Sequence, residues 1–169
     1  MNYNLYLNKS LILLLMEYIL DINEIYNYNL IFKLPIKNQN EKYIHYYKLM
    51  YSNNIITIKY LLLKLKNYIS LIENNHNYNI IINNDYIEKL KNIELLILNS
   101  INTTINKNIV CNLYNDLINK ENIYTFSFLP NINHFCLKIS GIWEDKENIG
   151  LVYKFYYNMS TEKLSNISC

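Results

Sequence analysis

Two alternating runs near the carboxyl end constrain the fold of this chain more than any other feature. The first run places Leu137, Ile139, Gly141 and Trp143 in alternation with Lys138, Ser140 and Ile142. In the second, Val152, Lys154 and Tyr156 alternate with Leu151, Tyr153, Phe155 and Tyr157. A two-residue period is typical of strands, and a polar loop joins the runs. We therefore predict a β-hairpin over residues 137–157, with Trp143 opposite Leu151 and largely buried.

Three-and-four-residue spacing predicts helices elsewhere. The most regular stripe predicts an amphipathic helix that begins at Asn84 or Asp85, either of which can cap it. Its members are Ile87, Leu90, Ile93, Ile97 and Ile101. A short helix is expected over 112–120, and Ser10 is a candidate N-cap for another that runs to about Asn23.

The stretch from Tyr43 to Ile72 fits two structures. Its apolar residues could form one helical face through Ile58, Leu62 and Leu65, or the alternation around them could form buried strands. β-Branched and aromatic residues near 55–60 favour strands. Residues 28–36 and 78–82 are expected to be extended. Together these predictions indicate one α+β domain over residues 1–169, with an antiparallel β core, added helices and a C-terminal β-hairpin.

Composition limits how this chain could bind a charged partner. All 16 basic residues are lysines, so phosphates would be met by point charges rather than by the guanidinium fork. Arg-based reading of guanine is excluded. The net charge is only +2, but residues 33–91 carry nine lysines and four acidic residues. The abundance of Asn, Ile, Lys and the 18 tyrosines is typical of an AT-rich genome.

Several function classes have no support in the sequence. The three cysteines, Cys111, Cys136 and Cys169, form no Cys-x-x-Cys pair, and two glycines cannot make a phosphate-binding loop. No nucleophile or paired-carboxylate motif is present, so we expect neither an enzyme nor a cofactor or metal site. The apolar run from Leu11 to Leu20 is too short to span a membrane and contains Glu17. We expect an intracellular protein.

One face of the predicted hairpin combines lysine and tyrosine. Lys138, Lys154 and Tyr156 fall on it, and Lys59, Lys64 and Lys66 come from the basic middle of the chain. Single-stranded nucleic acid is bound by basic grooves that follow the phosphates and by aromatic rings that stack on bases. These six residues are therefore the candidate nucleic-acid-binding residues. A solvated sheet face in a Tyr-rich chain is the alternative interpretation.

The hairpin sequence resembles a known signature. Phe135-Cys-Leu-Lys-Ile-Ser-Gly-Ile-Trp-Glu144, followed by Ile149-Gly-Leu-Val-Tyr-Lys-Phe155, is similar to the C-terminal signature of a protein family of nucleocytoplasmic large DNA viruses. That family resembles the phage-type single-stranded-DNA-binding proteins. The resemblance implies an OB-like β-barrel with added helices, with the hairpin in the barrel wall. The acidic, aromatic-tipped tail of such proteins has no counterpart here.

The resemblance and the Lys/Tyr face lead to one functional expectation. The chain is expected to bind single-stranded DNA without sequence preference during viral DNA replication or repair, in the host cytoplasm or a viral factory. The alternative is a non-enzymatic virion or assembly protein that acts through contacts with viral proteins or with copies of itself. Tyr-rich surfaces are common where protein partners dock.

Overall fold

The structure is a computed structural model that describes residues 20–37, 44–53, 55–75, 77–119, 124–126, 130–131 and 135–157. Within these residues the strands are β1 (Leu30–Phe32), β2 (Ile36–Lys37), β3 (His45–Ser52), β4 (Thr57–Ile58), β5 (Leu61–Lys64), β6 (Ile69–Asn74), β7 (Asn77–Ile82), β8 (Asn108–Ile109), β9 (Tyr124–Phe126), β10 (Phe135–Glu144) and β11 (Asn148–Tyr157). The α-helices are α1 (Asn84–Ile105) and α2 (Asn112–Asn119). Short 3-10 turns lie at Ile22–Glu24, Asn27–Asn29 and Lys66–Tyr68.

Eight of the strands form one large curled sheet. Its main path runs β1-β3-β10-β11-β8, with β2 and β4 on β3 and β5 on β10. The pairs are antiparallel except for β11 with β8. Strand β10 is central because β5 pairs with its first half, β3 pairs with its second half, and β11 pairs along its whole length. The mixed α+β class predicted from the sequence is confirmed.

A β-bulge at Ser140 divides β10 into two halves. The pairing passes from Ile139 with Tyr153 to Gly141 with Val152, which leaves Ser140 as an extra residue. A bulge bends its strand and shifts the inward positions by one residue. Inward side chains are therefore odd-numbered before the bulge and even-numbered after it. Ile139 and Ile142, one on each side, are both fully buried.

The bulge corrects one prediction about the hairpin. The hairpin itself is confirmed, but Trp143 pairs with Gly150, not with Leu151. Trp143 lies on the outer face and is half-buried, whereas Ile142 pairs with Leu151 inside. The predicted partner of Trp143, and its predicted place on the same face as Leu137, Ile139 and Leu151, were wrong because uninterrupted alternation was assumed across Ser140.

Helix α1 packs its apolar stripe against the inner face of the curled sheet. All five predicted positions of that stripe are buried, together with Tyr86 and Leu98. The helix starts at Asn84, as expected, although Asn83 is the N-cap residue and its side chain makes no capping hydrogen bond. It ends at Ile105, and its C-cap residue Asn106 adopts a left-handed conformation (φ 50°) that Asn tolerates well. The predicted short helix is confirmed as α2.

Strands rather than an α-helix form most of the described part of residues 43–72, as the β-branched and aromatic content favoured. Strands β3, β4 and β5 and the start of β6 lie in this stretch, with a 3-10 turn at Lys66–Tyr68. The extended segment 28–36 is broken into a 3-10 turn, β1 and the start of β2. Strand β7 covers the predicted strand 78–82 and joins β6 and β9 in a separate three-stranded sheet. Residues 10–19 of the predicted N-terminal helix lie outside the described residues, and its predicted end is not α-helical, because Leu20 forms an isolated bridge to Leu63 and Ile22–Glu24 is a 3-10 turn.

Among the described residues, no helix combines the length and the apolar composition that crossing a membrane requires.

Candidate nucleic-acid interface

The outer face of the large sheet gathers lysine and aromatic side chains from four strands. Cross-strand partners point to the same face of a sheet, so the register defines four rows across it. The rows are Lys64–Cys136–Tyr156, Leu62–Lys138–Lys154, Lys48–Gly141–Val152 and Tyr46–Trp143–Gly150. We call these twelve residues the lysine–aromatic face. The rows contain four lysines, three aromatic rings and no acidic residue.

Two of these lysines lie close enough to a third, Lys138, to lower its pKa. Lys138 and Lys154 are direct cross-strand partners, so their side chains leave the sheet side by side. Burial lowers the pKa of Lys138, and the positive charges of Lys154 and Lys48 lower it further. Like charges placed opposite each other destabilise a sheet. Folding therefore assembles a positive centre that the fold itself does not favour.

Aromatic rings flank this positive centre. The Lys138 Nζ lies 3.9 Å from the centroid of the Tyr60 ring, and the Lys154 Nζ lies 5.9 Å from that of Tyr156. Both distances are within the range of cation–π attraction. A ring that holds an ammonium on one face can offer its other face or its edge to a flat ligand. Each of the two opposed lysines thus lies beside a tyrosine ring.

Both glycines of the chain lie beneath aromatic rings of this face. A Cβ at Gly141 would come within 2.5 Å of the Tyr46 ring, and a Cβ at Gly150 within 2.4 Å of the Trp143 ring. The Tyr46 hydroxyl also donates a 2.9 Å hydrogen bond to the Ser140 carbonyl at the bulge. Glycine is required at these positions because the ring atoms, and at Gly141 also the Tyr47 carbonyl oxygen, occupy the space that a Cβ would fill. The rings are consequently held in place on the sheet.

The structure brings together four of the six predicted binding residues. Lys138, Lys154, Tyr156 and Lys64 belong to the lysine–aromatic face. Lys59 is exposed in the bend before β5, and Lys66 is exposed in the 3-10 turn that leads toward the three-stranded sheet. No strand register places Lys59 or Lys66 in these rows.

Sequence reasoning missed Lys48, Tyr46 and Trp143. Lys48 and Tyr46 lie on β3, which was predicted only as part of an ambiguous stretch, and the pairing of β3 with β10 joins residues more than 90 positions apart. Tyr46 and Lys48 do alternate with the buried Tyr47 and Leu49, and this local pattern could have placed them on one face. Trp143 was assigned to the wrong face because of the bulge.

Access to the face is uneven. Leu62 and Cys136 belong to its rows and yet are buried, at 3% and 1% exposure. Lys64 and Lys154 are exposed, and Lys48, Lys138 and Tyr156 are half-buried. The accessible charge is therefore concentrated on β11, β3 and the end of β5.

A separate polar cluster surrounds the buried carboxylate of Glu144 at the C-terminal end of β10. The Tyr47 hydroxyl donates a 2.7 Å hydrogen bond to it, the His45 Nδ1 lies 3.0 Å away, and the Lys107 Nζ lies 3.6 Å away. Burial alone would raise the pKa of Glu144, but these hydrogen bonds and positive charges outweigh burial and lower it. Burial and the hydrogen bond to Glu144 raise the pKa of Tyr47 to about 12. The cluster links β3, β10 and the α1–β8 connection.

Glu94 is a second buried carboxylate, and its role is structural. Its two oxygens accept hydrogen bonds of 2.9 Å from the backbone N–H groups of Leu113 and Tyr114, in the first turn of α2. Burial raises the pKa of Glu94, and the two backbone hydrogen bonds oppose that rise. Glu94 therefore satisfies the N-terminal donors of α2 from α1 and fixes the two helices to each other.

Among the described residues, no group of three or more His, Cys, Asp or Glu side chains is arranged to hold a metal ion. No family model, curated protein or solved structure matches this chain.

Proposed function

We propose that the lysine–aromatic face binds single-stranded DNA without sequence preference. The observation that carries the proposal is the direct opposition of Lys138 and Lys154, with Lys48 near enough to lower the pKa of Lys138. Neighbouring ammonium groups repel one another, and an anion bound among them offsets that repulsion. A nucleic-acid backbone supplies a series of such anions, because every phosphate carries a negative charge.

The aromatic rings favour a single strand over a duplex. Tyr156, Tyr46 and Trp143 lie on the same face of the sheet as the lysines, and each is partly exposed. Unpaired bases can stack on such rings, and each stack contributes about 1–3 kcal/mol. Stacking requires no base-edge code, so a chain without arginine can use it. The resulting recognition is independent of sequence.

The same proposal treats the curled sheet as an OB-like barrel. Its support is the antiparallel pairing of β3, β5 and β11 around the central β10, with curvature introduced at the Ser140 bulge. Together with the resemblance of the hairpin sequence, this architecture is compatible with a role in viral DNA replication or repair.

A fluorescence titration with labelled oligo-dT tests the proposal. Affinity is expected to fall linearly with log salt concentration, with a slope of about −0.7 for each neutralised phosphate. Replacing Tyr156 by Ala should cost about 1–3 kcal/mol of binding free energy. Tyr78→Ala is the matched control, because Tyr78 is also a half-buried strand tyrosine but lies in the three-stranded sheet. Absence of binding at low salt would overturn the proposal.

A role in assembly through protein contacts is the second candidate. The observation that favours it is the concentration of exposed apolar side chains between residues 26 and 36. Clusters of exposed apolar side chains are typical of protein–protein interaction sites. Oligomers that form without nucleic acid, together with no salt-sensitive binding to oligo-dT, would favour this candidate.

A further inference from the structure

The segment from Tyr26 to Ile36 exposes an unusual amount of apolar surface. Five large side chains within these eleven residues are between 45% and 88% exposed, and they are Tyr26, Tyr28, Ile31, Leu34 and Ile36. Single exposed apolar residues are normal on any protein, whereas a contiguous group of them usually marks an interaction surface. Tyr26 and Tyr28 already stack on each other, with ring centroids 5.3 Å apart.

Strand β1, in the middle of this segment, lies at the edge of the large sheet. Among the described strands it pairs only with β3. An open groove of about 510 Å³ runs beside it, between β1 and the C-terminal half of α1. Leu30 and Phe32 line one wall of the groove, and Leu96, Asn99 and Thr103 line the other. The groove walls therefore carry no charge.

The pairing of β1 with β3 determines which backbone groups of β1 point toward the open edge of the sheet. Residues 30, 31 and 32 pair in register with 51, 50 and 49, and the Lys33 N–H continues this register by donating to the Lys48 carbonyl. Hydrogen-bonded and non-hydrogen-bonded pairs alternate in an antiparallel ladder. Ile31 must then share the orientation of Lys33 toward β3. The N–H and C=O groups of Leu30 and Phe32 point the other way, toward the open edge.

We propose that β1 pairs with β1 of a second copy of this chain, antiparallel and centred on Ile31. In that register Leu30 of each copy lies opposite Phe32 of the other, so the outward backbone groups of both strands bond one another. The two Ile31 side chains meet at the two-fold axis. Tyr28 and Leu34, which are 76% and 88% exposed, flank the paired strands on either side of β1.

Charge and symmetry favour a second copy over an unrelated peptide. A two-fold interface needs a surface that is complementary to itself. With Ile31 at the centre, the paired residues Leu30, Ile31 and Phe32 are uncharged in both copies, and the two Lys33 side chains lie past opposite ends of the paired strands. Like charges are not directly opposed in this register, and apolar side chains meet apolar ones. Pairing would also join the two large sheets edge to edge, so that the two lysine–aromatic faces lie on one continuous sheet.

Sedimentation velocity over a concentration series, without nucleic acid, measures this association. The unaltered chain is expected to dimerise, and Ile31→Lys should raise the dissociation constant at least about tenfold, because it places two ammonium groups at the two-fold axis. Ile72→Lys is the matched control, since Ile72 is a strand residue of nearly equal exposure (48% against 45%) in the three-stranded sheet. Circular dichroism verifies that both variants fold.

Cysteine crosslinking tests the register independently. Residues directly opposite in a non-hydrogen-bonded pair have Cα atoms about 4.5 Å apart, which is within reach of a disulfide. Ile31→Cys should therefore give a disulfide-linked dimer on mild oxidation, whereas Ile72→Cys and the unaltered chain should not. A chain that is monomeric at about 100 µM, or a dimer unaffected by Ile31→Lys, would overturn the proposal. Neither result depends on whether oligo-dT binds.

Discussion

Replacing Lys154 by Met is expected to stabilise the fold and to weaken binding to single-stranded DNA. Lys154 lies directly opposite Lys138 on the outer face. The substitution removes one of two opposed positive charges and keeps an unbranched apolar side chain of similar length. A residue that only supported the structure would not combine these two effects.

The expected gain in stability follows from the geometry of the pair. Opposed like charges in an antiparallel sheet cost about 0.2–1 kcal/mol. Part of that gain is offset because Met loses the cation–π contact with Tyr156, but at 5.9 Å this contact is near the limit of its range. For a chain of this length, a net gain of a few tenths of a kcal/mol up to about 1 kcal/mol raises Tm by about 1–4 °C.

Thermal unfolding and oligo-dT titration, each at low and high salt, measure the two effects. The rise in Tm should shrink in high salt because the repulsion is screened. The salt slope of binding should become shallower by about 0.7, the loss of one phosphate contact. Lys146→Met, at the exposed turn of the same hairpin, is the control and should change neither quantity. A lower Tm at low salt, or an unchanged salt slope, would refute the reasoning.

Two further predictions concern the backbone and the buried carboxylate. Gly141→Ala should lower the free energy of unfolding by about 1–3 kcal/mol in urea titration. The reason is that the new Cβ would lie 2.4 Å from the Tyr47 carbonyl oxygen and 2.5 Å from the Tyr46 ring. An unchanged urea midpoint would show that the β3–β10 contact is looser than described. The folded-state pKa of Glu144 is lowered, so its contribution to stability is complete above the unfolded-state pKa of about 4.3 and is lost as the pH falls through the folded-state pKa. Urea midpoints measured from about pH 6 to pH 3 should therefore fall less steeply for Glu144→Gln than for the unaltered chain, and parallel curves would contradict this.

The sequence by itself determined the elements whose signal is local. The stripe from Ile87 to Ile101 predicted α1, because a helical face repeats every three to four residues whatever lies opposite it. The two alternating runs predicted β10 and β11 for the same reason. The β-branched and aromatic residues near 55–60 favoured the strands that the structure contains. Lys138, Lys154 and Tyr156 were placed on one face correctly because all three lie on the hairpin on the same side of the bulge.

Tertiary structure alone decided the faces beyond Ser140 and the pairing of β3 with β10. One extra residue in a strand exchanges its inward and outward side chains, and the local mark beside it, Gly141, does not by itself say whether the alternation shifts. Trp143 was therefore assigned to the core, although it lies on the outer face. Lys48 reaches the lysine–aromatic face only because β3 pairs with a strand more than 90 residues away. Such contacts depend on which surfaces the whole chain can bury together, and no local period encodes them.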